Sequence, residues 1–431
     1  MTPPPSAASD PMQHASTAPL KVEQVTLSGS TMGLAPKMML LGLVTLGAGL
    51  LLDLVAGPKG LYHFAHAYLL GYFFCLTIAL GALIFVCLQR LTKAGWSVVI
   101  RRLAELIAST MPALAILAIP VLVFMHQLYP WTHAELVEND AILLGKQAYL
   151  NMPFFIGRVA VYFAVWIWIA RKMLTLSLRQ DESGDVELTR KAERLSAPAV
   201  ILFALTVTFA GFDLLMSLDP HWFSTIYGVY VFAGSMVGFL SVAILGVKFL
   251  QSRGVLRDVV TVEHFHDLGK LLFGFTMFWG YIAFSQFMLI WYANIPEETI
   301  WFEHRMSHGW GWVSLILLFG HFVIPFGGLL SRHVKRDARG LVFWAAWQLV
   351  MHLVDIYWLI MPALNLAHGK VGAPGYAPAL HAGFPLHVLD VLAVVGFGAL
   401  FVGLVMRSMR GVNLVPLKDP RLAEARGFHN F

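Results

Sequence analysis

Charge is scarce in this chain. Of 431 residues, 13% are Asp, Glu, Lys or Arg, 58% are hydrophobic, and the mean hydropathy is +0.69. Soluble domains carry about twice that share of charge, so a water-soluble globule is excluded. Disorder over most of the length is excluded too, because it needs low hydrophobicity and high net charge. Cysteine is scarcer still. Cys75 and Cys87 are the only two, and twelve residues on one helix put them about 18 Å apart, beyond disulfide reach. There is no CxxCH site and no cysteine set for an iron–sulfur cluster or zinc. A redox metal would therefore sit on another chain or be held by histidine. Residues 1–36 lack the basic start and apolar core of a signal peptide. Rich in Pro, Ser, Thr and Ala, they read as a flexible polar tail, which leaves targeting to the first apolar helix.

What the chain does have is apolar runs long enough to cross a bilayer, about 20 residues per helix. Ten can be drawn, near 37–57, 61–88, 103–125, 153–174, 197–217, 221–250, 267–292, 307–330, 340–362 and 386–408. The fold class is an all-α membrane protein with about ten transmembrane helices. Alternating the flanks places 25 of the 30 Lys and Arg on the side of the termini and four (Lys59, Lys146, Arg305, Lys370) on the other, with Arg158 inside a span. Positive charge collects on the cytoplasmic side, so both termini are expected in the cytoplasm. The net charge of +5 is then a topology signal rather than a nucleic-acid footprint. Span five carries Asp213 seven residues before Pro220, and span nine carries Asp355 seven before Pro362. An offset of four helices keeps the orientation, as a parallel internal repeat requires.

Ionisable groups in a bilayer cost on the order of 3 kcal/mol at a helix centre and usually face a cavity, a partner or the protein interior. Two groups stand out. Asp53, His66, Arg158 and Asp213 share the outer depth of spans one, two, four and five, with His221 just outside. They suit either a buried ion pair or a quinol site in which Asp or His takes a hydroxyl proton. The second group lies on spans seven to nine. His264, His266, Asp267 and Lys270 open span seven, His321 sits in span eight, and Gln348, His352 and Asp355 share one face of span nine by their spacing of four and three. Such a stripe relays protons or glues helices through hydrogen bonds. Haem b is a rival use of His321 and His352, but no second histidine pair lies at another depth. The aromatic residues read as lipid contact and interfacial belt. Gly234 and Gly238 form a GxxxG close-packing face. The outer segment 131–150 reads as a short surface helix.

Three stretches carry a resemblance: KQAYLNMPFFIGR (146–158), SLDPHWFSTIYGVYVFAGS (217–235) and HFHDLGKLLFGFTMFWGYIAFSQFMLIWYANIPEE (264–298). They resemble the NrfD-like membrane subunits, similar to the polysulfide reductase membrane subunit, and in particular the smaller, F-type subunit of bacterial alternative complex III. The resemblance implies two four-helix bundles, 61–217 and 218–362, flanked by helix one (37–60) and by an outer loop with helix ten (363–408), ending in a cytoplasmic tail (409–431). It implies a place in the bacterial inner membrane within a quinol:cytochrome c, or quinol:acceptor, oxidoreductase. This chain would carry no redox centre or covalently bound cofactor of its own and would contribute quinone (menaquinol) binding, a proton path, or both. Haem c and iron–sulfur clusters would lie on partner subunits. The expected partners are the larger NrfD-like subunit, the iron–sulfur protein, the haem-c subunits, lipid and an aa3-type oxidase. The group around Asp213 and Arg158 would be the quinol-site analogue and the Gln348–His352–Asp355 face the proton-path analogue. A scaffold docking a terminal oxidase and a secondary transporter remain the alternatives. A transporter would favour Gly/Pro-broken helices at matching places in both halves, whereas Pro112, Pro120 and Pro325 do not match.

Overall fold

A computed structural model describes residues 20–55, 61–307, 309–367 and 386–430. Lys59 and Lys370, used in the charge count, lie outside them, as do most of the outer loop, residues 1–19 of the tail and Phe431. The described chain is helical, and ten helices are long and apolar enough to cross a membrane. They are α1 (Leu34–Val55), α2 (Tyr62–Leu91), α3 (Val98–Val123), α4 (Met152–Ser183), α5 (Val186–Leu218), α6 (Tyr227–Ser252), α7 (Val262–Ala293), α8 (Trp310–Leu330), α9 (Ala338–Leu364) and α10 (Val388–Ser408). Each overlaps one of the ten runs drawn from sequence. Only a helix keeps all backbone polar groups paired within one lipid-bound segment. The breaks occur where the sequence removes a donor: α3 is interrupted beside Pro112 and Pro120, neither of which has an N–H to give.

Local chemistry sets the turns. Gly184 takes the left-handed conformation (φ 72°) and donates its N–H to Gln180, closing α4. Asp185 then caps α5 by accepting from Glu187. A glycine C-cap followed at once by an Asp N-cap folds α5 back along α4 with no longer loop.

Helices α2–α5 form one four-helix bundle and α6–α9 a second. They meet where α2 and α5 lie on α6 and α2 touches α9, while α1 pairs with α10 and α10 packs on α2. The seam is tight. A Cβ built on Gly81 would sit 2.2 Å from the carbonyl oxygen of Ser235, and one on Gly42 would sit 2.6 Å from that of Gly396. No larger residue fits between those backbones.

The N-terminal tail needs correction on the face that carries the chain's ends. Residues 22–25 and 29–32 are short helices. Val25 is fully buried, Gln24 O accepts from Leu256 N–H at 2.9 Å, and Val25 O accepts from Leu414 N–H at 2.7 Å. The flexible tail expected through residue 36 therefore does not extend over 20–36. The expected C-terminal tail is also seated. Leu414, Val415 and Ala425 are fully buried, and Asp419 reaches a cluster of buried charges made by Arg90, Arg101, Arg102 and Glu105. A polar composition signalled solvent for the N-terminal segment, but a few apolar side chains and backbone pairs hold it down.

Candidate functional site

A cluster of buried polar side chains lies in the second bundle, and it starts from a proline. Pro325 has no N–H, so the carbonyls of Gly320 and His321 lose the donor that would follow one turn on. Around them α8 opens into a π-helical turn over Leu317–Val323, a distortion frequent at functional sites. Helix α9 supplies the missing donors: Trp347 Nε1–H bonds Gly320 O at 2.7 Å and Gln348 Nε2–H bonds His321 O at 3.2 Å. Gln348 also donates to Thr276 Oγ1 on α7 at 2.6 Å. The His321 ring is fully buried and stacks on Trp279, 3.9 Å between centroids, and neither ring nitrogen has a hydrogen-bond partner.

One turn on, His352 fills the space left by two missing side chains. A Cβ on Gly238 would come within 2.7 Å of His352 Cδ2, and one on Gly234 within 3.1 Å of Cε1. The GxxxG pair is thus a seat for an imidazole. Thr77 Oγ1 on α2 lies 2.7 Å from Phe74 O and 2.9 Å from His352 Nε2, so the hydroxyl and the ring nitrogen share one hydrogen bond. The other ring nitrogen, Nδ1, has no hydrogen-bond partner. Three residues further along the same face, Asp355 is buried (1% exposed). It accepts from the Tyr230 hydroxyl on α6 and from Trp279 Nε1–H at 3.1 Å. Among the described residues no cation pairs with it. Gly238→Ala should displace the His352 ring and cost about 1–3 kcal/mol, the usual range for overpacking. A melting temperature within 1 °C of the unaltered protein's would show that the seat is not tight.

The expected wet entrance is different in kind. His264 caps α7 through Thr261, with Nδ1 2.9 Å from Oγ1, and its ring lies 5.7 Å from that of Phe428. Lys270 bridges Asp267 at 2.5 Å and donates to Asn430. His266 lies beside them, also buried. Phe428 and Asn430 of the C-terminal segment lie against this cluster, while Lys270 stays exposed. From Asp267 to Thr276 is nine residues, about 13 Å of helix axis, and the buried positions there include Leu268, Leu272, Leu341 and Ala345. Among the described residues no polar side-chain chain joins the entrance to Gln348.

The five residues grouped by outer depth do not form one pocket. Arg158 and Asp213 make a two-toothed pair (2.8 and 2.9 Å), to which Tyr162 adds a hydroxyl at 2.6 Å; Arg158 also lies over the Tyr149 ring. Asp53 accepts from Phe64 N–H and serves the start of α2. His66 bonds Tyr62 O within its own helix. His221 pairs with Asp140, 2.5 Å away, at the end of the bundle opposite the chain's ends. Asp140 also caps the helix Ala141–Lys146. Burial raises its carboxyl, but His221 and the amides of Leu143 and Ile142 outweigh that and hold it below the usual carboxylate range. The surface segment 131–150 is a run of short helices, and it does carry this contact.

Beside the second-bundle cluster is a cavity of ≈ 710 Å³ between α7, α8 and the outer helix Pro296–Met306. Tyr230 and Trp279, the partners of Asp355, form part of its wall. Arg305 anchors the outer helix. It is buried, gives its protons to the carbonyls of Trp301, Trp358 and Leu359, and lies 3.5 Å above the Trp301 ring. Burial pulls its pKa down to about 10, which leaves it charged at neutral pH against the negative end of a helix.

No protein-family model matches this chain, and no curated protein matches it.

The chemistry therefore rests on geometry. Sequence spacing placed Gln348, His352 and Asp355 on one face, and they are. Thr77, Tyr230, Trp279 and Thr276 were missed because they come from three other helices. One signal was available: Tyr230, Gly234 and Gly238 fall at i, i+4 and i+8 on α6, so a tyrosine shares the face that the glycines open.

Proposed function

We propose that this chain is a membrane subunit of a quinol-oxidising respiratory complex of the NrfD-like, alternative complex III type, and that its second bundle handles protons. The observation that carries this is the contrast between two buried carboxylates. Asp213 has an arginine in two-toothed contact, which is how a helix bundle neutralises a charge it must bury. Asp355 has only neutral donors, Tyr230 and Trp279. A carboxylate kept inside a membrane without a cation strands no ion partner when its proton comes or goes, which makes it a poor choice for a structural tie. His352 Nδ1, the His321 ring and Gln348 Oε1 have no protein partner. They are the groups through which water would continue the relay.

The three stretches that carry the resemblance supply Arg158, Tyr230, Trp279 and Asp267, so they converge on the polar positions of both bundles. In this reading the redox centres lie on partner subunits, the terminal face is cytoplasmic because it carries the excess of Lys and Arg, and the membrane is the bacterial inner membrane. In the intact complex reconstituted in vesicles, Asp355→Asn should leave quinol:acceptor electron transfer within about twofold. It should lower protons moved per electron by half or more. An unchanged ratio would overturn the assignment, and purification of the chain without redox subunits would favour the scaffold or transporter readings.

A further inference from the structure

We infer that the α8–α9 hairpin, on the face that carries the chain's ends, holds a site for an anionic phospholipid with two phosphate groups. The site is independent of the function proposed above. Its sequence is one-sided: residues 331–339 carry Arg332, Lys335, Arg336 and Arg339 against Asp337 alone. The counterpart four helices earlier is the α4–α5 hairpin. Residues 179–194 there carry Arg179, Arg190, Lys191 and Arg194 against Asp181, Glu182, Asp185, Glu187 and Glu193. Both hairpins mark the same side of the membrane, so topology alone does not explain why only one keeps an excess of cations.

Depth separates the two hairpins as well. Helix α8 has 21 residues, about 31 Å of axis, which matches a hydrocarbon core about 30 Å thick. Arg332 follows its end by two residues, and Arg339 is the second residue of α9, so both stand at the lipid headgroups. Helix α4 has 32 residues, about 48 Å of axis, more than the bilayer with its headgroups. Its hairpin stands clear of the lipid.

Two of the cations are spent on the fold. Lys335 Nζ donates to the carbonyls of Leu329 and Leu330 at 2.8 and 3.1 Å. Its stem lies over Gly269 of α7, where a Cβ would sit 3.0 Å from Lys335 Cγ. Arg336 makes a two-toothed pair with Glu263 at 2.8 and 2.5 Å. Together they dock the short helix Arg332–Arg336 onto α7. Beside Gly269, the Lys270 side chain pairs with Asp267 yet stays 47% exposed. Arg332 and Arg339 are exposed, and among the described residues neither guanidinium has a partner. Lys270, Arg332, Lys335, Arg336 and Arg339 thus face Glu263, Asp267 and Asp337, five cations against three anions. The excess of two is the charge of a lipid with two phosphates. Apolar surface runs from these arginines into the membrane. Leu330, next to Arg332 but for one residue, is 59% exposed, and Phe343, one turn beyond Arg339 on the same face of α9, is 54% exposed. Acyl chains have that surface to lie on while the phosphates meet the arginines. Basic pockets among helices at this face are where such headgroups bind.

The test titrates the full chain in detergent with tetraoleoyl cardiolipin, dioleoyl phosphatidylglycerol, dioleoyl phosphatidylcholine or inorganic phosphate. Bound lipid is read by native mass spectrometry, and stability by melting temperature. Cardiolipin should bind at least tenfold more tightly than phosphatidylglycerol and raise the melting temperature; phosphatidylcholine and phosphate should do neither. A basic side chain at the headgroups is worth about fivefold in binding an anionic lipid. The double change Arg332→Gln with Arg339→Gln should therefore weaken cardiolipin binding tenfold or more. Neither arginine has a protein partner, so the lipid-free melting temperature should stay within about 2 °C. Arg190→Gln with Lys191→Gln, on the other hairpin, should alter binding less than twofold. Unaltered binding in the Arg332 and Arg339 variant would overturn the proposal. An equal loss in the Arg190 and Lys191 variant, or phosphatidylcholine binding as tightly as cardiolipin, would do the same. So would equal stabilisation by phosphate alone, which would make this an anion site without a lipid, and equally tight phosphatidylglycerol, which would remove the second phosphate.

Discussion

Replacing Asp419 with alanine should destabilise the protein by about 3–5 kcal/mol, the usual cost of stripping one partner from a buried charge cluster. Asp419 stands 2.5 Å from Arg101 and 3.7 Å from Arg90. Arg102 is held by Glu105 at 3.2 Å and Asp181 at 2.8 Å, and Arg90 also reaches Glu105 at 3.3 Å. Three guanidinium groups thus face three carboxylates, nearly all without water. Without Asp419, Arg90 and Arg101 share what Glu105 can give. Burial raises the Asp419 carboxyl, but Arg101 with the Arg421 amide and Arg90 outweighs it, so its pKa is lowered on folding. A lowered carboxylate stabilises the fold above its ordinary pKa, and that contribution is lost as pH falls through the folded value. Thermal melts should therefore show the Asp419→Ala deficit at pH 7 and a smaller one at the acid limit. An unchanged melt at pH 7 would mean the cluster carries no stability. The paired change Arg101→Met with Asp419→Leu should recover much of the loss, because both charges go together.

Asp213→Ala should have an effect of similar size, about 3–5 kcal/mol, for the same reason. It leaves Arg158 facing Tyr162 with no carboxylate between them. The contrast with Asp355→Asn is the informative part. Asp355 has no cation to strand, so that variant should fold at normal yield, whereas Asp213→Ala should give little monodisperse protein on size-exclusion chromatography. If Asp213→Ala assembles normally and quinol oxidation alone falls, the pair belongs to a quinol site and not to the bundle's framework.

The number of spans and their rough ends were legible in the sequence because hydropathy and length are local properties. The shared face of Gln348, His352 and Asp355 was legible for the same reason. What depth along a helix does not give is position around the bundle. Arg158 and Asp213 pair with each other, as the ion-pair alternative expected, but Asp53 and His66 at the same depth face other neighbours, so shared depth did not make one pocket. Arg90, Arg101 and Arg102 were read as flank charges marking a side. Their burial depends on Asp181 and Asp419, which lie 79 residues from Arg102 and 318 from Arg101 and leave no local trace. The use of Pro325 was missed because its effect appears on another helix, in the donors of Trp347 and Gln348.

The pairing of Val25 with Leu414, next to that of Gln24 with Leu256, also governs the order in which the molecule can be made. Chains emerge from the ribosome start first, so the early segment waits through the synthesis of all ten spans before its last partner exists. Until then the Val25 carbonyl lacks its Leu414 partner and the buried arginines lack Asp419. Completion of the fold is thereby tied to completion of translation through residue 419. A chain that stalls in the final stretch leaves an unpaired backbone carbonyl at Val25 and unmatched positive charge at Arg90 and Arg101 on the same face.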